Sequence, residues 1–375
     1  MQDILSTKAL ESLTYESPFF IFSKKKLQEI FKMFTDCFPG AAIHYAMKAN
    51  SEPEILQHIA DIGGGFEVAS LGELQLLTAL HIPPEKIIYG TSVKSLSHIA
   101  AFGAYGVERF AFDDLTELHK IASVAPGAKV YVRVNVNDAT SVFQFSEKFG
   151  TDLKNVVPFL KQAQTLGLKP YGISFHVGSQ AGNHFAWAEE LTNLITPISE
   201  LYAEGITIEA INIGGGFPCK YLSYDNDCDL QTIAQHTLEA YRKLPYQPQL
   251  ILEPGRGIIA EAGILVASVI AKIERKNATW LFLDAGVYNA LFEAMAYQGS
   301  TRYRVSRLRS DTTGATQLFA IAGPTGDSPD VITREALLPI DTDTGDKLVF
   351  HDAGAYSISV TSQFNGFKKP SVHFI

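Results

Sequence analysis

The sequence predicts an α/β fold, a (β/α)8 TIM barrel followed by a C-terminal all-β domain, and three observations support this. Eight short runs rich in β-branched and aromatic residues recur between positions 43 and 256, separated by stretches with helical apolar spacing. The first five runs start about 22 residues apart, which fits a strand, a loop and a three-turn helix. After Arg256 this alternation gives way to strand-like segments and turns. Eight strand–helix units favour a closed parallel barrel, with a doubly wound open sheet as the alternative.

The barrel strands are predicted in chain order from these runs. They are IHYAMKAN (43–50), GFEVAS (65–70), IIYG (87–90), RFAFDD (109–114), VYVRVNV (130–136), YGISFHVGS (171–179), EAINIGGG (209–216) and QLILEPGR (249–256). We expect the barrel domain to extend over 24–258, which is close to the roughly 250 residues that such a barrel needs.

The second domain is predicted over 259–375. Its strand-like segments are 263–274, 278–284, 317–322 and 347–350, and turn-rich sequences such as GPTGDSPD connect them. The early run SPFFIF (17–22) also has the composition of a strand. The N-terminal residues 1–23 are therefore expected to complete the β domain.

Composition excludes several classes of protein. Of 375 residues 46% are hydrophobic and 19% are charged, which is typical of a globular protein with a large core. The net charge of -9 disfavours nucleic-acid partners, and the longest apolar stretch, 257–273, is too short and too interrupted for a membrane helix. Three cysteines without a CxxC pair indicate a reducing, cytoplasmic location without structural zinc. No metal site is predicted.

Polar residues gather where the predicted barrel strands end, the rim at which parallel barrels carry their active sites. They are Lys48, Glu67, Arg133, His176, Ser179, Gly214, Gly215, Gly216, Glu253, Gly255 and Arg256. The glycine run after the seventh strand can close bare N–H groups around a phosphate. A lysine amine, phosphate donors and a carboxylate together suit pyridoxal 5'-phosphate. The alternatives are a solvated surface lysine and a core histidine at position 176.

A series of motifs carries a family resemblance over nearly the whole chain. In order they are YAMKAN, FEVAS with Glu73, FHVGSQ, NIGGGFP, EPGR, DAGVYNALF, GPTGDSPD, HDAGAYS and FNGF. Together they resemble the ornithine/diaminopimelate/arginine decarboxylase group of pyridoxal-phosphate enzymes, which has the alanine racemase-like fold. The resemblance implies decarboxylation of an amino acid, a place in polyamine biosynthesis, and a homodimer whose active sites are shared between subunits.

The resemblance also implies a role for individual residues. Lys48 matches the Schiff-base lysine, and His176 matches the histidine stacked on the cofactor ring. Glu253 matches the acid on the pyridine nitrogen, where the racemase branch has an arginine, so decarboxylation is favoured over racemisation. The remaining cofactor matches are Glu67 and Glu73 near the lysine, Arg133 near the ring, and Ser179, Gly214, Gly215, Gly216, Gly255, Arg256 and Tyr356 around the phosphate.

The sequence departs from the family pattern at two substrate-proximal positions. Gly326 stands where the family has a cysteine that is thought to protonate the substrate carbon. Water or another side chain is expected to serve as the acid instead, with Lys48, Cys219 and His351 as candidates. Tyr297 stands where an aspartate contacts the distal amine of ornithine, although Tyr288 and Asp327 match. The substrate is therefore expected to be an ornithine- or lysine-like diamino acid or a modified amino acid. A racemase and a catalytically silent cofactor-binding homologue remain the alternatives.

Overall fold

The chain divides into two compact units in the computed structural model, which describes residues 4, 7–222, 229–296, 301–309 and 314–375. The barrel unit comprises Ile30–Pro218 and Asp227–Gly255. The β unit comprises Met1–Glu29, Cys219–Asn226 and Arg256–Ile375. The domain bounds 24–258 and 259–375 stay predictions. The described chain begins with helix α1 (Thr7–Glu11) and strand β1 (Phe19–Phe22).

Eight parallel strands close into a barrel, which confirms the predicted fold class and rules out the open sheet. Each strand pairs with the next one along the chain, and the last pairs with the first. The barrel strands are β2 (Ala42–Ala46), β3 (Gly65–Val68), β4 (Ile87–Tyr89), β5 (Arg109–Phe112), β6 (Lys129–Arg133), β8 (Lys169–Ser174), β10 (Ala210–Asn212) and β11 (Gln249–Leu252). Between them, the short strands β7 (Ser141–Phe143) and β9 (Ser179–Ala181) form a separate antiparallel pair.

One helix precedes the first barrel strand, and helices follow the later strands as the apolar spacing predicts. They are α2 (Lys24–Cys37), α3 (Pro53–Asp61), α4 (Leu71–Ala79), α5 (Leu96–Tyr105), α6 (Leu115–Val124), α7 (Val156–Thr165), α8 (Ala186–Asn193), α9 (Ile195–Ala203) and α10 (Leu230–Tyr241). Side-chain caps fix where several begin: Ser95 accepts from the His98 N–H at the start of α5, and Asp114 accepts from the Thr116 N–H at the start of α6. Gly106, with φ of +100°, ends α5.

Alternate residues of the barrel strands point inward and pack together. Ile88, Ala111, Tyr131, Tyr171, Ala210 and Ile251 form one buried cluster. These residues come from six different strands, and each strand contributes through its two-residue side-chain period. The filled interior leaves the two ends of the barrel as the places where polar side chains collect.

The β unit is built on an eight-stranded sheet around β12 (Gly263–Arg275). Its other strands are β13 (Ala278–Leu283), β14 (Val305–Arg307), β15 (Thr316–Ala322), β16 (Val331–Pro339), β17 (Lys347–Phe350) and β18 (Ser371–Phe374), and the short helix α11 (Arg256–Ile259) precedes β12. Strand β1 pairs antiparallel with β12, with Phe19 opposite Val266. Within the described ranges no helix has the length and apolarity to cross a membrane, and no three His, Cys, Asp or Glu side chains are grouped as metal ligands.

Candidate active site

Lys48 lies immediately after β2, in a short helical turn over Met47–Ala49. Its Nζ is 2.8 Å from Oε2 of Glu67 on the neighbouring strand β3. The Lys48 side chain is 43% exposed, whereas the Glu67 side chain is only 5% exposed. A buried carboxylate therefore positions the Lys48 amine, while the Lys48 side chain remains partly exposed at the carboxyl ends of the barrel strands.

Glu73 lies beside this pair through a capping box at the start of α4. Ser70 Oγ accepts from the Glu73 N–H at 3.3 Å, and Glu73 Oε2 accepts from the Ala69 N–H at 2.6 Å. The pKa of Glu73 is raised to about 7, chiefly by burial and also by the nearby Glu67, against the opposite effects of the Ala69 N–H and Lys48. The capping sequence Ser70-x-x-Glu73 thus brings a second carboxylate to the same rim.

Glu253 follows β11 and is tied to the neighbouring strand by an amide. Asn212 Nδ2 donates to Glu253 Oε1 at 2.5 Å, and Asn212 Oδ1 accepts from the Gly214 N–H at 2.9 Å. Burial and the Glu67 carboxylate raise the pKa of Glu253, while Asn212, Lys48 and Arg133 act in the opposite direction. A carboxylate whose charge is disfavoured in this way is ready to receive a cation.

The turn after β11 also contacts the turn that carries Lys48. The Ala46 N–H donates to the Pro254 carbonyl at 3.1 Å. A Cβ on Gly255 would lie 3.0 Å from Ala49 Cβ, so only glycine lets the two turns approach without displacement. Lys48 and Glu253, 205 positions apart in the sequence, are thereby brought to adjacent strand ends.

His176 and Arg133 occupy the ends of β8 and β6 on the same rim. His176 Nδ1 accepts from the Gly178 N–H at 3.1 Å, and Phe145 packs edge-on against its ring at 5.0 Å. Burial, followed by Arg133 and Lys48, lowers the pKa of His176 well below its ordinary value, so the ring is neutral. The Arg133 guanidinium lies over the Phe149 ring at 5.0 Å, and burial lowers its pKa.

The glycine run 214–216 follows β10 and packs directly on backbone. A Cβ added to Gly214, Gly215 or Gly216 would overlap the carbonyl oxygens of Phe175, Glu253 and Gly178 respectively. Gly214 and Gly216 also have positive φ values of +67° and +95°. The predicted Ser179 begins β9 nearby in the chain and is buried. A second glycine run, 63–65, leads into β3 and lies at the amino ends of the strands, the opposite end of the barrel.

The remaining predicted residues belong to the β unit and form two groups there. Arg256 makes a bidentate pair with Glu293 at 2.5 and 2.6 Å, and its guanidinium lies 4.7 Å from the centre of the Tyr356 ring. Tyr288 OH donates to Oδ2 of the exposed Asp327, which raises the pKa of Tyr288. Gly326 is exposed beside Asp327. Tyr297 lies outside the described residues.

Sequence reasoning missed two contributors to this rim, Asn212 and Phe145. Asn212 stands two residues after the inward-facing Ala210 on β10, so the two-residue period of a strand could have predicted that Asn212 also points inward. Phe145 lies in the segment between β7 and α7, and only its tertiary contact with His176 identifies it. Among the alternative acids, Cys219 and His351 are buried in the β unit, and His351 Nε2 is 2.8 Å from Ser306 Oγ.

Comparison with known proteins gives one family match and several relatives. Residues 24–260 match the family described as "Pyridoxal-dependent decarboxylase, pyridoxal binding domain". The lysine/ornithine decarboxylase of Selenomonas ruminantium is 33% identical over 365 residues, which are 97% of this chain and 91% of that protein. The ornithine decarboxylase of Schizosaccharomyces pombe is 31% identical over 350 residues, 90% and 78% of the two chains. The crystal structure of a lysine/ornithine decarboxylase with putrescine from Vibrio vulnificus matches with a TM-score of 0.90, at 27% identity over 98% of both chains.

Proposed function

The chain belongs to the family of pyridoxal-dependent decarboxylases, and on this premise we propose that it removes the α-carboxylate of a diamino acid of the ornithine or lysine type, releasing CO2 and a diamine. The observation that carries the proposal is the carboxylate of Glu253, held by Asn212 beside the turn of Lys48. An acid at this position favours decarboxylation, whereas the racemase alternative would require a cation there.

The residues of the barrel rim fit pyridoxal phosphate. Lys48 offers an amine next to a carboxylate, and Glu253 offers a buried negative charge for a ring nitrogen. The glycine run leaves a cradle that any Cβ would fill. Arg256, whose guanidinium is shared with Glu293, is the basic side chain we assign to the phosphate together with Tyr356.

Each rim residue then has a distinct task. Bound pyridoxal phosphate supplies an electron sink for the bond that breaks when CO2 leaves. Glu67 fixes the position of the Lys48 amine, which holds the cofactor and later transfers protons. Glu253 would accept a hydrogen bond from the protonated ring nitrogen of a bound cofactor and favour its positive charge. The neutral ring of His176, held by the Gly178 N–H and Phe145, stacks without adding charge to the site.

The proton that replaces the carboxylate comes, in this proposal, from Lys48. Gly326 has no acidic group, and the other two acids named from the sequence, Cys219 and His351, are buried in the β unit. A Cβ built on Gly326 meets nothing within 4 Å, so a cysteine there fits without displacing neighbours. We expect Gly326→Cys to lower the fraction of carbonyl by-product relative to amine, measured by mass spectrometry. Gly326→Ser is the control, and an unchanged ratio in Gly326→Cys would mean that a side chain at position 326 does not reach the carbon that is protonated.

The substrate's distal ammonium is assigned to Asp327. Its carboxylate is exposed and oriented by the hydroxyl of Tyr288. The relatives named above are lysine and ornithine decarboxylases, which supports a substrate with a second amine. In Asp327→Asn, KM for the diamino acid should rise about tenfold or more while kcat changes less, because a charge-assisted contact to an unreactive group is lost. A tenfold fall in kcat with unchanged KM would mean that Asp327 acts in the chemical step and not in substrate binding.

A homodimer with shared sites completes the proposal. The exposure of Gly326 and Asp327, together with the family resemblance of the GPTGDSPD loop, supports a loop that reaches the partner subunit. Lys48→Ala protein should be inactive, and Asp327→Ala protein should have little activity at substrate concentrations well below its raised KM. At such concentrations, mixing the two should restore up to about a quarter of the wild-type activity, since one site of each mixed dimer is then intact. A monomer by light scattering, or no recovery in a verified mixed dimer, would reject shared sites.

We also assign the protein to the cytoplasm. The described cysteine Cys37 is a free thiol, and the sequence has no CxxC pair, which supports a reducing compartment. Cell fractionation followed by immunoblotting tests this, and recovery in an oxidising extracellular fraction would contradict it.

The activity itself is tested by CO2 release from lysine, ornithine and arginine, with Lys48→Ala as the inactive control. We expect release from at least one diamino acid and an absorbance band of the protein-bound cofactor that Lys48→Ala lacks. A cofactor band without CO2 release would favour the silent homologue instead. Interconversion of L- and D-amino acid without CO2 release would favour the racemase.

A further inference from the structure

A cavity of about 390 Å³ opens at the amino ends of strands β2 to β5, the end of the barrel opposite Lys48. Its apolar wall includes Phe31, Ile43 and Ile62, and its polar wall includes His44, Lys86 and Arg109. The volume lies in the range of small-molecule sites, which begins at about 300 Å³. None of these residues takes part in the decarboxylation described above.

Among the described residues, the two cations of this cavity hydrogen-bond to backbone carbonyls. Lys86 Nζ donates to the Gly63 carbonyl at 3.2 Å, and Arg109 Nη2 donates to the Ile87 and Glu85 carbonyls. Within the part of the chain that the structure describes, neither forms an ion pair with an acidic side chain within 4.0 Å. Glu85 also lines the cavity, so its wall carries two positive charges and one negative charge. The excess of positive charge favours an anion.

His44 supplies a second and independent indication of a ligand. It lines the cavity, is 5% exposed, and its Nδ1 makes no well-aligned hydrogen bond. Burial, followed by Arg109 and Lys86, lowers its pKa to about 3, with the Ala42 carbonyl acting weakly in the other direction. A buried polar atom without a good partner is uncommon in folded proteins unless a ligand or water meets it.

The apolar wall of the cavity favours an organic anion over an inorganic one. Phe31 and Ile43 are each only 6% exposed and Ile62 is half-buried, so this wall offers little surface to water. An anion with an apolar body matches such a wall better than a hydrated inorganic ion does. We propose that this cavity is a second ligand site, which binds a small aromatic carboxylate with its carboxylate at Arg109 and Lys86, hydrogen-bonded to His44, and with its ring against Phe31. The carboxylate of such a ligand would be an acidic partner for Lys86 and Arg109.

Titration of the holoenzyme with benzoate tests the proposal. We expect a Kd in about the millimolar range by calorimetry. The His44 ring resonances, identified by their loss in His44→Asn, should move and report a raised pKa. Inorganic phosphate should bind more weakly than benzoate. Benzoate should bind equally well when ornithine or lysine saturates the active site.

Matched variants separate the charges of the cavity. Arg109→Gln and Lys86→Gln should each weaken benzoate binding about tenfold, and Glu85→Gln should strengthen it about threefold. Lys169→Gln, at the start of β8 and away from the cavity wall, should change nothing. All four variants should keep the wild-type rate of decarboxylation.

Three results would overturn the proposal. The first is benzoate titration of the wild-type holoenzyme without movement of the His44 resonances, which does not depend on any variant folding. The second is equal benzoate affinity in the wild type and in Arg109→Gln with Lys86→Gln. The third is displacement of benzoate by the amino-acid substrate, which would place the ligand in the active site. Since none of these readouts requires decarboxylation, they are independent of the proposed function.

Discussion

The two ends of the same barrel carry opposite electrostatic arrangements. At the carboxyl ends of the strands, Lys48 is paired with Glu67, and carboxylates outnumber cations. Burial first, and then the Glu67 charge, raises the pKa values of Glu73 and Glu253. At the amino ends, Lys86 and Arg109 meet carbonyl groups, and the pKa of His44 is lowered to about 3. The carboxyl ends of the strands, where carboxylates are in excess, therefore suit a cationic ring and an amine, whereas the amino ends suit an anion.

The largest expected effect distinguishes the lysines of the two ends. Lys48→Ala should reduce kcat/KM on the order of 10⁴-fold, near the upper limit for a group that transfers protons. Lys86→Ala removes an equivalent charge from the opposite end and should leave the rate unchanged. Steady-state CO2 release measures both, and similar losses in the two variants would refute the division between the ends.

The second effect concerns stability in acid at the amino end. The pKa of His44 is lowered from 6.5 to about 3, so its contribution to stability is complete above pH 6.5 and is lost as the pH falls towards 3. The loss amounts to at most about 5 kcal/mol. In His44→Asn the free energy of unfolding should fall less steeply across this window than in the wild type, as measured by urea denaturation at several pH values. Parallel pH profiles would show that His44 is not buried in neutral form.

A weaker effect of opposite slope is expected at the carboxyl end. The pKa of Glu73 is raised from 4.5 to about 7, so its contribution is complete below pH 4.5 and is lost as the pH rises through 7. The loss is at most about 3 kcal/mol. Glu73→Gln keeps an acceptor for the Ala69 N–H and should flatten the decline of apoprotein stability between pH 4.5 and 7. A steeper decline of stability in Glu73→Gln would mean that the pKa of Glu73 is not raised in the folded protein.

The smallest expected effect tests the link between Asn212, Glu253 and Gly214. Asn212→Leu removes one donor and one acceptor, so kcat/KM should fall about tenfold, the value of a hydrogen bond to a charged group. Its cofactor absorbance band should shift, since the orientation of Glu253 changes. Asn193→Leu on the exposed face of α8 is the control. Wild-type kinetics in Asn212→Leu would mean that Glu253 is positioned without this amide.

The sequence was sufficient to predict all eight barrel strands, because each is a short buried run with β-branched or aromatic residues. It was not sufficient for β16, whose segment REALL over 334–338 consists largely of helix-forming residues and becomes a strand through pairing with β15. Lys48 and Glu253 could be located because strand ends define the rim. Phe145 and the His44 cavity could not, because each depends on contacts between segments distant in the sequence.

The amide of Asn212 has a consequence for how the protein ages. An amide donates with nitrogen and accepts with oxygen at every physiological pH, so it can join the Glu253 carboxylate to the Gly214 N–H. Deamidation, to which asparagine is prone at high temperature, would replace the donor by a second carboxylate 2.5 Å from the first. One hydrolysed side chain in the barrel would then disturb the acid and the glycine turn together, and the damage would persist after the protein refolds.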